Sequence, residues 1–163
     1  MSTFPDGVFF DAVLPLQWQQ ETDWQPLEVA RYLDVLADFE VTERPDIVAA
    51  HEAKLDLQLV WLARLMTPVL PSPAHVTIGI ESVRWQGVDG RVGERGCLAI
   101  APGTALIHLL RLPAEIVAVE PSPQGSIVTA RWCFDHLGAR DAFERYVFRR
   151  HREQIRQEKG DQP

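Results

Sequence analysis

A chain of 163 residues and 18.4 kDa has room for one domain of ordinary size, or a small domain carrying an insertion, but not for two full domains. Hydrophobic residues make up 46%, with 5 Trp and 7 Phe, which is enough to build a core and excludes wholesale disorder. A formal charge of −7, from 16 basic and 23 acidic side chains, opposes the attraction to phosphate backbones on which general nucleic-acid binders depend.

The charge is uneven. Residues 1–80 hold 12 acids against 4 bases and the remainder 11 against 12, so two structural units with different surfaces are expected. No stretch approaches about 18 uninterrupted apolar residues, and the N-terminus, with Asp6 and Asp11 but no early Lys or Arg, is unlike a secretory leader. These features predict a soluble, cytoplasmic protein. Cys97 and Cys133 are too distant for a CxxC pair and are expected to be reduced, structural thiols.

From Val8 to Trp18, Phe10, Ala12, Leu14, Leu16 and Trp18 recur at period two, predicting a strand with one buried face and an edge or bend at Pro15. Pro26 then opens a helix in which Val29, Tyr32, Leu33, Leu36 and Phe39 share a face. Glu43-Arg44-Pro45 interrupts it, and a second helix is predicted from Asp46 to Met66, ended by Pro68. Its stripe of Val48, Leu55, Leu59, Leu62 and Met66 has a mean repeat near 3.5, the seam of a helical bundle. Leu57, Val60, Trp61 and Leu65 spill beyond that seam, so one neighbouring helix cannot cover them all.

After Pro73 come β-like runs over His75–Trp85, Cys97–Ala101, Ala105–Leu112, Glu115–Glu120 and Ser126–Phe134, the texture of an antiparallel barrel or sandwich. Gly87, Gly90, Gly93 and Gly96 lack the Lys-Ser or Lys-Thr of a phosphate loop and are expected to form a flexible hairpin connection. Ala139–Lys159 is predicted to be a helix burying Phe143, Tyr146 and Val147, with i, i+4 pairs Asp141–Arg145 and Arg149–Glu153 on its surface. Arg145, Arg149, Arg150, Arg152 and Arg156 either receive an anion or complement the negative end of the helix dipole.

No pattern advertises catalysis. The five histidines show no metal-ligand spacing, no serine sits in a GxSxG elbow, and Asp34 with Asp38 reads as a solvated helix face. No cofactor or metal and no enzyme activity is expected. A barrel stacking single-stranded nucleic acid on Trp85 and Trp132 is a rival reading that the acidic balance disfavours.

The segment GSIVTARWCFDHLGARDAFERYVFRRHRE, a strand leading through a short turn into an Arg- and aromatic-rich helix, resembles the end of PilZ domains, and IESVRW resembles an earlier strand of that family. The resemblance implies a small antiparallel β-barrel, α+β in class, with a C-terminal helix over 138–159. Many members are receptors for cyclic di-GMP, using an RxxxR pair ahead of the first strand and a (D/N)xSxxG element. Here the first arginine is Arg31, and alignment on VRW puts Thr77, Gly79 and Ser82 where Asp, Ser and Gly stand in the family. Both halves of that site are expected to be degenerate, with no ligand-binding residues.

The helical block 26–67, inserted after the first strand and containing KLDLQLVWL, is similar to the atypical, tetramer-forming branch of PilZ proteins in Gram-negative bacteria. The implied protein is one domain over 1–163 that self-associates through Val48, Leu55, Leu59, Leu62 and Met66 and acts as a regulatory adaptor on an unknown partner protein in cyclic di-GMP-linked signalling. A genuine cyclic di-GMP receptor using Arg84, Arg149 and Arg152 is the alternative. Deletion of 26–67 is expected to leave a folded barrel, because the insertion holds its own apolar stripe and most of the acidic excess.

Overall fold

The computed structural model describes residues 7–40, 46–66, 69–87, 90–104 and 106–160, without the side chains of 46–51. Strands β1 (Phe9–Gln19), β2 (Pro73–Gly79), β3 (Ser82–Gly87), β4 (Arg95–Ile100), β5 (Leu110–Ser122) and β6 (Gly125–Trp132) close into an antiparallel barrel in the order β1-β2-β3-β6-β5-β4. Helices α1 (Pro26–Phe39) and α2 (Asp46–Met66) lie between β1 and β2, and α3 (Leu137–Gly160) follows β6. This is the expected α+β barrel with two inserted helices and a C-terminal one.

Alternation explains the barrel interior. Phe10, Leu14 and Leu16 of β1 point inward with Val76, Ile78, Val83, Leu98 and Ile116, all buried in one core. Pro15 occupies the place where β1 changes partner: residues to Pro15 pair with β2, those from Leu16 with β4. A closed barrel has no edge, so Pro15 marks the bend instead, and its carbonyl accepts the Ala101 N–H at 3.0 Å.

Three sequence expectations are corrected. The run His75–Trp85 is two strands, because the chain reverses at Ile80-Glu81 between β2 and β3. The expected strand Ala105–Leu112 is realised only from Leu110, and it joins Glu115–Glu120 in one strand, β5, which continues through Pro113; Ala105 lies outside the described residues. The Pro113 carbonyl accepts Cys133 N–H at 2.8 Å while the β5–β6 ladder begins at Ala114, so the missing proline N–H falls at the ladder's end. The glycine-rich segment is not a hairpin connection, since β3 and β4 are not neighbours. It crosses one end of the barrel, held by Gly93 N–H donating to the Ile116 carbonyl at 2.8 Å. Gly96 has a packing role: a Cβ there would stand 2.2 Å from the Gln19 carbonyl oxygen, so only glycine lets β4 close on β1.

The inserted block is not one separable unit. Val29, Leu33 and Leu36 of α1 are buried in the same core as the strands, and α1 packs along α3. Removing 26–67 would therefore open the core, contrary to the deletion expectation. Ala63 of α2 packs against that core, whereas its large apolar side chains do not.

Helix α3 begins at Leu137, two residues before the predicted Ala139, because His136 caps it. The His136 Nδ1 accepts Ala139 N–H at 3.1 Å, and its carbonyl accepts Arg140 N–H at 3.0 Å. The surface pairs expected within α3 are replaced by crossings to α1: Arg145 pairs with Asp34 at 3.1 Å and Arg149 with Glu40 at 3.2 Å. Both carboxylates stand on the neighbouring helix and its C-terminal cap. The late turns of α3 stay tied to β1, with Gln154 accepting Asp11 N–H at 2.9 Å and the His151 ring 2.5 Å from the Phe9 carbonyl oxygen.

Candidate functional site

The residues aligned with the family's ligand motif lie on and beside the outer face of β1-β2-β3. Register sets Asp11, Thr77, Arg84 and Thr129 in a row across four strands, and the first three border a groove of about 600 Å³. Asp11, Thr77 and Arg84 have partners inside the barrel wall. Thr77 donates its hydroxyl to Asp11 at 2.5 Å, and Arg84 pairs with Glu120 at 3.4 Å. Gly79 is buried, its carbonyl accepting the Trp132 indole N–H at 3.0 Å. Ser82 opens β3 opposite Arg131. These positions hold strands together, and Thr77 places a neutral hydroxyl where the family has a carboxylate or amide.

The two tryptophans of the nucleic-acid reading are buried in the structure. Trp85 and Trp132 are only 3% and 8% exposed. Trp85 stacks on Trp18 at 5.8 Å, and Trp132 packs edge-on to Phe143 at 5.1 Å, so neither offers a face to a base.

Helix α2 has the opposite character. Leu55, Leu59, Leu62 and Met66 are 55, 40, 54 and 70% exposed, and Leu57, Trp61 and Leu65 are also exposed. Val48 lies outside the described side chains. The seam residues Leu59, Leu62 and Met66 line a cleft of about 530 Å³ whose other wall carries Leu27, Tyr32 and Val35 of α1. Apolar side chains thus line the cleft and also point away from it, which forms an extended uncovered patch.

A second cleft separates α1 from α3. Arg149 lies at its border, with its guanidinium over the Tyr146 ring at 5.9 Å. Arg152 is exposed on the same border. Arg84 is on the distant β3 face, so the three arginines of the alternative receptor are not brought together. His136 as a cap and Glu40 as the partner of Arg149 were not visible in the sequence: histidine is an uncommon cap, and the Glu40 pairing depends on the α1–α3 packing.

Tyr146 lines this second cleft and Tyr32 the first, and burial first of all pushes the pKa values of both far above the usual phenol range. Tyr32 donates to the Leu106 carbonyl at 2.6 Å, which holds the protonated form. Unfolded tyrosines release protons near pH 10 and the folded ones do not, so stability is full below about pH 10 and falls above it. In an alkaline titration, phenolate absorbance is expected to rise together with loss of far-ultraviolet circular dichroism. Phenolate forming while the fold persists would contradict this burial. Cys97 is likewise held above the ordinary thiol range by burial, with Arg111 acting in the opposite sense.

A closed six-stranded barrel with a capping C-terminal helix and two helices between its first strands defines a PilZ-type architecture. No family model and no curated protein matches the chain. Among solved structures, a Xanthomonas campestris pathogenic protein, described as a tetrameric PilZ domain self-assembled via a helical bundle, is 27% identical over 94% of this chain and 90% of its own, with a TM-score of 0.81. The Bacillus subtilis inhibitor of motility MotI/DgrA is 13% identical over 93% of this chain and 53% of its own, with a TM-score of 0.49. The chain is thus similar over nearly its whole length to a tetrameric PilZ domain protein and has a PilZ-like fold, with two helices between its first two strands. Among the described residues, no helix is long and apolar enough to cross a membrane.

Proposed function

We propose that this chain is a cytoplasmic, non-enzymatic adaptor in cyclic di-GMP-linked signalling that self-associates through its inserted helices, as a tetramer, and acts by contact with a partner protein. The observation that carries this reading is the exposed apolar set Leu55, Leu59, Leu62 and Met66 on a helix that its own chain leaves largely uncovered. Burying each such leucine stabilises an assembly by roughly 1.5–3 kcal/mol. Likeness to the Xanthomonas tetramer supports four chains and a helical bundle as the means. Within the single domain over 1–163, α1 serves the core and α2 serves assembly.

Cyclic di-GMP itself is not expected to bind. No arginine lies among residues 1–8, and Thr77, Gly79 and Ser82 keep the motif's spacing but lack the carboxylate or amide, hydroxyl and glycine that would take a guanine edge. Each missing charge-assisted hydrogen bond forfeits roughly 1.5–3 kcal/mol, so loss of several moves a micromolar site beyond detection. The alternative receptor built on Arg84, Arg149 and Arg152 is disfavoured by their placement on separate faces and by the carboxylate partners of the first two. Titration calorimetry with cyclic di-GMP should show only dilution heat at tens of micromolar protein. Saturable heat at one or two nucleotides per chain would overturn the ligand-free reading.

A further inference from the structure

The arginines of α3 divide into those that the fold explains and those that it does not. Arg145, Arg149, Arg152 and Arg156 stand at i, i+4, i+7 and i+11, one face of a helix, along roughly 16 Å. α3 carries seven basic and four acidic residues in a chain of formal charge −7. The helix dipole acts within the last turn only and does not account for basic residues placed as early as 145 and 149.

Part of the stripe is already matched by an acidic helix from the same chain. Asp34 of α1 pairs with Arg145, and Glu40 at its end pairs with Arg149. There α1 stops and the stripe continues: Arg152 and Arg156 are exposed, and no acid among the described residues pairs with either. Beside them the α1–α3 cleft, about 460 Å³, has Leu33, Ala37 and Ala142 among its lining and Phe148 exposed at its border. Tyr146, only 4% exposed, lines the same cleft, and among the described residues its hydroxyl has no hydrogen-bond partner; nor do the Nε and Nη2 of Arg149, although Nη2 lies within ion-pair distance of Glu40.

We propose that the α1–α3 cleft with its arginine stripe is the docking site for an acidic, amphipathic segment of the partner protein. The segment lays apolar side chains on the cleft and carboxylates on Arg152 and Arg156, extending the pattern that α1 begins, with a further carboxylate within reach of Arg149 and Tyr146. A linear array of cations beside an apolar strip suits a helix bearing acids one turn apart better than a compact phosphate, which needs donors converging on a point. This inference rests on the adaptor reading, for which it supplies the chemistry of the partner, and it uses a face separate from the α2 seam.

The test uses the full chain and a fluorescein-labelled helical peptide of about 15 residues with Glu and Leu on adjoining faces, roughly 22 Å long. A Gln-for-Glu version, a single-stranded oligonucleotide of equal charge and inorganic phosphate complete the panel. Saturable anisotropy with the Glu peptide, weakened about tenfold by Arg152→Gln/Arg156→Gln and progressively by salt, is the expected result. No binding of the Glu peptide, equal binding of the Gln peptide, indifference to the double substitution, or preferential capture of the oligonucleotide or phosphate would overturn it. Both substituted residues are exposed, so the fold should persist, and circular dichroism with light scattering of the variant verifies it. A chain that is monomeric yet binds the Glu peptide would refute self-association alone; a multimer that ignores the peptide would refute this inference alone.

Discussion

Phe143→Ala is expected to destabilise the protein by about 4 kcal/mol, the range for truncating a buried phenylalanine. Phe143 is 1% exposed and joins α3 to the barrel through Trp132 at 5.1 Å, Phe134 at 5.0 Å and Tyr146 at 6.4 Å. Tyr146 in turn meets Phe10 of β1 edge-on at 5.6 Å. The lost ring leaves a cavity at the junction of β1, β6 and α3, which these rigid aromatics cannot refill. Chemical denaturation should show a midpoint shift with an unchanged slope. A loss below about 1 kcal/mol would mean that α3 is not seated as described.

Leu59→Asp with Leu62→Asp is expected to dissociate the assembly while leaving the barrel folded. Both side chains are about half exposed in the single chain, so the charges cost little there. In a bundle seam they would be buried without partners, at several kcal/mol per ion. Sedimentation should show a smaller species with an unchanged near-ultraviolet spectrum of the buried tryptophans. Unfolding of the variant at low concentration would place Leu59 and Leu62 in the monomer's core, against their exposure.

Much of the fold was legible because its signals are local. The period-two run of β1 and the i, i+3, i+4 face of α1 each concern neighbours in sequence, and both elements begin and end within a residue of expectation. The tight reversal at Ile80-Glu81 was not legible, since neither residue is a turn former, and Pro113 gave a false break. Tertiary closure decides both. The same limit hid the partition of the inserted block: the amphipathic patterns of α1 and α2 look alike in sequence, but α1 finds α3 and the barrel whereas α2 does not. Arg145 and Arg149 fit i, i+4 partners on their own helix, yet Asp34 and Glu40 hold them, because helix packing supplies carboxylates that spacing cannot reveal.

The site was legible mainly as a departure. Absence of arginine ahead of Phe10 can be read from the chain alone, and the structure adds that Thr77 and Gly79 hold the barrel wall together. The apolar excess of α2 was equally plain and its side chains stand exposed, from which follows the proposed claim that other copies of the chain cover them. Light scattering behind a sizing column, over a concentration series from about one to a hundred times micromolar, tests that claim most directly. A mass of about four chains, constant until the lowest concentrations, is the predicted result; a mass of one chain throughout would contradict assembly through α2.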